Sequence, residues 1–73
     1  MSSEPKYRRI FGDNLRMYRK LAGLSQEKLA EKADLHPVYI SAVERGVKTI
    51  SLDALHRIAK AVNVQVTDLC KGF

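Results

Sequence analysis

From Tyr7 onward apolar and polar residues alternate with a helical period. Phe11, Leu15, Tyr18 and Ala22 recur at spacings of four, three and four, which lines one side of a helix, while Arg8, Arg9, Arg16 and Lys20 fall on other sides. Gly23 suits the left-handed stop. A second helix opens after Ser25, a good cap; Glu27 lies in the first turn and Leu24 with Leu29 forms a hydrophobic staple. Leu29, Ala30 and Ala33 are its inward face, and it ends near Asp34. His36-Pro37 starts a third helix, because proline is favoured in the first helical position and pushes its predecessor out of the helical region. Ile40 and Val43 face inward there, Leu35 anchors the turn and Gly46 is the stop. A helix this short is not stable alone, so its neighbours must hold it.

Val47 to Ile50 reads as a loop, after which Ser51 caps a fourth helix with Ile50 and Leu55 as staple. Leu52, Leu55, Ile58, Ala59 and Val62 give it an apolar stripe, and Asn63 suits a left-handed end. A last turn or two runs from about Val66 to Cys70. Only Val62 to Val66 hints at a period of two, over too short a run to make a sheet. The expectation is an all-α domain of five short helices over residues 7–73, preceded by a polar arm at 1–6 that carries Pro5.

Composition narrows the function. With 73 residues the chain is one domain, and folding at this size hides only about 60% of the unfolded surface. A doubly wound sheet or a two-domain enzyme does not fit. Hydrophobic residues at 45% and charged residues at 29% describe a globular protein. Cys70 is the lone cysteine, so no internal disulfide forms, and life without staples fits a reducing cytosol. Met1 to Lys6 has no apolar core, so no signal peptide is expected, and no apolar run approaches a membrane span. The net charge of +5 favours a polyanionic partner, although a charge of this size also serves plain solubility. Most of the excess sits in residues 1–20, which carry six basic and two acidic groups.

The second and third helices carry the most information. Two short helices joined by a tight turn, the second with a polar outer face, have the helix-turn-helix layout, in which the second enters the major groove of DNA. Leu24-Ser25-Gln26-Glu27-Lys28-Leu29-Ala30, then Tyr39-Ile40-Ser41 and Glu44-Arg45-Gly46, resemble the Xre or lambdoid phage repressor type of domain. Leu15 to Arg19 and Ile50 to Leu55 fit as well, so the likeness spans roughly residues 10–70. Within that family, Leu35 to Ser41 is similar to the small controller proteins of restriction–modification systems. The resemblance implies a five-helix lambda-repressor-like fold and sequence-specific binding to double-stranded DNA as a transcriptional regulator. Asp34 departs from the pattern, standing where many such motifs place glycine in a positive-φ turn.

On the third helix, at about 100° per residue, Val38, Ser41, Ala42 and Arg45 lie opposite Ile40 and Val43. His36, Pro37, Val38, Ser41 and Ala42 are the expected base-reading set. It holds no Asn, Gln or Arg near its start, so direct readout is modest: thymine methyls for Val38 and Ala42, single hydrogen bonds for His36 and Ser41. The resemblance puts Gln26, Tyr39, Arg45, Lys48 and Thr49 on phosphates. It pairs Arg19 with Glu44 as a structural salt bridge.

Val64, Val66, Leu69 and Phe73 form an apolar cluster that either caps the core or makes a two-fold dimer interface. Relatives bind paired half-sites about 34 Å apart, which favours the homodimer. RNA polymerase is a further partner, by occlusion or by contact. His36 and His56 lack companions at ligand spacing and Cys70 has no base beside it, so neither metal, cofactor nor catalysis is expected. Two other readings stay open: an antitoxin-like interaction module, and a non-specific nucleic-acid binder working by charge alone.

Overall fold

The structure, a computed structural model, describes residues 5–73 as five α-helices with no strand among them. They are α1 (Lys6–Leu21), α2 (Gln26–Ala33), α3 (Pro37–Glu44), α4 (Leu52–Val62) and α5 (Val66–Leu69). The first four residues of the expected arm lie outside the described residues. Lys6, placed in that arm, is already helical: Pro5 (φ −65°, ψ 141°) stands at the cap, and the Arg8 N–H reaches its carbonyl at 3.1 Å.

Caps end the helices where the chain chemistry demands. Ser25 accepts from the Lys28 N–H at 3.0 Å and Ser51 from the Ala54 N–H at 3.1 Å, each satisfying an amide with no partner inside its helix. Asp34 and Asn63 are left-handed, with φ of 56° and 61°. Asp34 is the strained member, and the Arg57 guanidinium holds its carbonyl at 3.1 Å. At the far end Asn14 donates to the Leu69 and Lys71 carbonyls, both at 2.9 Å, tying the chain end to α1.

All five helices contribute to one core. Phe11 and Leu15 meet Leu29, Ala30 and Ala33 of α2, Ile40 and Val43 of α3, Leu55, Ile58, Ala59 and Val62 of α4, and Leu69 of α5. Tyr18, Leu24, Leu35, Ile50 and Cys70 pack half-buried around it. Three expectations need correcting. Leu69 is fully buried, so it cannot belong to a dimer surface: the one turn of α5 points it inward beneath Asn14. Leu52, expected in the α4 stripe, is 84% exposed, because the first residue of that helix stands beyond the edge of the core. Ala22 lies past the end of α1 and is exposed.

One contact sets the angle between α1 and α3. A methyl group on Gly12 would sit 2.5 Å from the Glu44 carbonyl oxygen and 2.7 Å from that of Val43. Only glycine lets the middle of α1 rest on the C-terminal end of α3. An interior helical glycine costs about 1 kcal/mol relative to alanine. Close packing at this crossing offsets it.

Candidate nucleic-acid interface

α3 carries the site and is fixed from behind. Ile40, Val43 and Glu44 are buried, at 0%, 1% and 2% exposure. Glu44 is the hub of a polar cluster. Arg19 reaches across from α1 and donates through Nε to Oε2 at 2.6 Å and through Nη2 to Oε1 at 3.1 Å. Its Nη1 donates to the Leu24 carbonyl at 2.9 Å, so one guanidinium fixes α1, α3 and the entry to α2. The expected Arg19–Glu44 bridge is thus present in two-pronged form. Such a pair gives limited net stability, but losing one partner leaves a buried charge alone.

Two further residues join the hub. Gln26 donates from Nε2 to Glu44 Oε1 at 3.0 Å, and Arg16 places Nε 3.7 Å from the same oxygen with Nη2 donating to the Glu44 carbonyl at 3.4 Å. Neither contact was anticipated. Arg16 does lie one turn before Arg19, so the two guanidinium groups share a helix face. Gly12, one turn earlier, was the other available signal: an isolated glycine inside a helical pattern usually has a packing reason.

The N-terminal end of α3 is built differently. His36 caps it, Nδ1 accepting from the Val38 N–H at 3.1 Å, so a neutral ring carries its proton on Nε2. Val38 is 67% exposed, while Pro37, Ser41 and Ala42 are half-buried. These five expected base-reading residues share one end and one outer side of α3. Val38 stands between two shallow hollows, one lined by Arg19, Gln26, Pro37 and Ser41, the other by His36, Tyr39, Ala42 and Lys48.

The expected phosphate set is spread around this ridge. Tyr39 packs its ring on the core, and its hydroxyl accepts from the Ser51 N–H at 3.1 Å, linking α3 to the start of α4. Its own proton remains free to donate. Arg45 and Lys48 are exposed, Arg45 Nε lying 3.4 Å from Ser41 Oγ. Thr49 accepts from Arg8 Nε at 2.7 Å, which brings the basic start of α1 beside the α3–α4 loop. Gln26 is committed to Glu44 through one amide hydrogen and keeps a second donor.

Away from this ridge Tyr7, Phe11, Leu52, Leu55, Cys70 and Phe73 line an apolar groove of about 270 Å³. Tyr7 and Phe73 form a tilted ring pair, 5.8 Å between centres and 49° between planes, and Phe73 is 63% exposed. Val66 is 36% exposed and Val64 half-buried against the core. Tyr7 and Leu52 were not expected at this surface; Leu52 reads as core by periodicity alone.

A helix-turn-helix family model matches residues 15–69, about three-quarters of the chain. Control protein C.BamHI of Bacillus amyloliquefaciens is 48% identical over 63 residues, covering 85% of this chain and 78% of the relative. The crystal structure of the restriction–modification controller protein C.AhdI from Aeromonas hydrophila superposes with a TM-score of 0.83 at 37% identity, covering 85% of this chain and 94% of that one. A structure of the biofilm master regulator SinR in complex with DNA superposes at 0.78 with 33% identity, covering 81% and 95%.

Proposed function

The chain belongs to the helix-turn-helix family of Xre type, and on that footing we propose that it is a sequence-specific DNA-binding transcriptional regulator, acting as a homodimer on a near-palindromic operator in the cytoplasm. Its most specific form is a restriction–modification controller, as C.AhdI is described, with the control protein C.BamHI as a second relative. The observation that carries the reading is the outer side of α3. Val38, Ser41 and Ala42 lie beside the His36-capped start of the helix and are flanked by Gln26, Arg45 and Lys48. Backbone contacts from the flanks set register, and the ridge reads bases. Val38 and Ala42 present methyl groups to thymine, while His36 and Ser41 each offer one hydrogen bond. No catalytic step is assigned.

One ridge this short reads few bases, so the dimer supplies the second half-site. Tyr7, Leu52 and Phe73, with Val66 nearby in sequence on α5, are its proposed contact surface. RNA polymerase is the proposed onward partner, excluded from the promoter or touched at its edge. Among the described residues no helix is long and apolar enough to cross a membrane.

Selection from random duplex DNA at about 150 mM salt tests the reading. A symmetric motif bound roughly a thousandfold better than scrambled duplex is expected. No enriched motif, with binding that vanishes as salt rises, would leave a charged helical domain whose partner is elsewhere. Sedimentation tests the dimer: wild type is expected to be dimeric and Leu52→Asp monomeric. Wild type that stays monomeric at high micromolar concentration, with and without DNA, contradicts it and favours a different partner for the groove.

A further inference from the structure

Glu44 gathers more positive charge than it needs. Its single carboxylate faces two guanidinium groups, and their burial divides the work. The Arg19 side chain is 10% exposed and makes both short contacts, 2.6 Å and 3.1 Å, so it neutralises the buried carboxylate. The Arg16 side chain is 43% exposed and stands 3.7 Å off. Of its five N–H groups one makes a hydrogen bond among the described residues, to the Glu44 carbonyl at 3.4 Å. One unit of positive charge is left over, and it sits on Arg16 at the surface.

Its placement is set by α1. Gly12, one turn before Arg16, rests on the Val43 and Glu44 carbonyls, so this face of α1 crosses the C-terminal end of α3. Arg16 and Gln26 approach the same oxygen, Glu44 Oε1, from α1 and from the first residue of α2. Gln26 borders the hollow beside Val38. A cation held next to that amide lies beside the ridge and not on it. A guanidinium anchored by one bond and half in water suits the oxyanion of a backbone phosphodiester.

We propose that Arg16 is a further DNA-phosphate contact, positioned by Glu44, and that it takes the phosphate neighbouring the one met by Gln26. This rests on the DNA-binding reading above. It gives Glu44 two roles, holding Arg19 for the fold and aiming Arg16 and Gln26 at the backbone.

The test is the salt dependence of binding to two duplexes of equal length, the one recovered by selection and a scrambled one. Arg16→Gln is expected to lower the log–log salt slope by about 0.9 on both, as loss of one phosphate contact requires. Arg16→Lys keeps the charge and is expected to keep the slope. Lys60→Gln removes a cation that lines a different hollow, between α2 and α4, and is expected to leave the slope unchanged. A slope unaltered by Arg16→Gln, or lowered equally by Lys60→Gln, overturns the proposal. A second measurement needs no variant: phenylglyoxal is expected to modify Arg16 in the free wild-type protein and not in the complex, and modification in both states contradicts it. Wild type that binds both duplexes alike sinks the regulator reading instead. Wild type that discriminates while Arg16→Gln keeps the full slope sinks only the assignment of Arg16.

Discussion

On its inner side α3 presents Ile40, Val43 and Glu44, none more than 2% exposed; on its outer side it presents Val38, 67% exposed, with Ser41 and Ala42 half-buried. The inner residues are committed to partners. Glu44 alone receives Arg19, Gln26 and the weaker approach of Arg16. Among the outer residues, Val38 and Ala42 have no polar side-chain group to commit, and the Ser41 hydroxyl accepts a long contact from Arg45. An eight-residue helix thus keeps stability and recognition on opposite faces. Substitutions on the outer side should change what is read without changing whether the domain folds. On the inner side both should fail together.

The largest effect should come from cutting the hub. Glu44→Gln leaves the Arg19 guanidinium buried without its anion, and a loss of about 3–5 kcal/mol is expected in urea unfolding. Replacing both partners sharpens the point: Arg19→Met with Glu44→Leu should recover most of that stability, because the buried charges go together. DNA affinity should not return, since Gln26 and Arg16 lose their anchor. Recovery of both would mean that the hub does not aim those side chains.

Gly12→Ala comes next. Helix propensity alone predicts a gain of about 1 kcal/mol. A methyl group 2.5 Å from the Glu44 carbonyl forces α1 off α3, and a net loss of about 1–3 kcal/mol is expected by thermal or urea unfolding. A gain would show that the crossing is looser than the packing indicates. The smallest effect belongs to the turn between α2 and α3. Asp34→Gly relieves a left-handed residue at φ 56° but frees the unfolded chain, and the Arg57 contact to its carbonyl is unaffected. Stability should move by no more than about 0.5 kcal/mol, with DNA affinity unchanged.

The contrast between the two faces also explains what could be read from the chain. Positions governed by local rules were legible: Ser25 and Ser51 as caps, His36-Pro37 as a helix start, Asn63 as a left-handed end, and Ile40 and Val43 as core by spacing, while the left-handed turn at Asp34 came from the family pattern. The Arg19–Glu44 bridge came from the family pattern, because residues 25 apart carry no local signal. What stayed hidden depends on where helices cross or stop. Leu52 continues the apolar period of α4, yet the core ends before it; Leu69 looked like surface at the end of the chain, yet one turn of helix folds it inward. Arg16 and Arg8 read alike as surface cations. The crossing at Gly12 sets one against Glu44, and the loop at Thr49 takes the other. Periodicity gives the face of a helix and not the length over which a neighbour covers it.

Base reading by the outer side of α3 is tested most directly at Val38. Glutamine there adds the paired donor and acceptor that recognise adenine in the major groove. Binding selection with wild type and Val38→Gln, side by side, should return motifs that differ at one position per half-site. Adenine should be enriched at that position in the variant, with folding stability within about 0.5 kcal/mol of wild type. The same motif from both proteins would place base reading elsewhere and contradict the account.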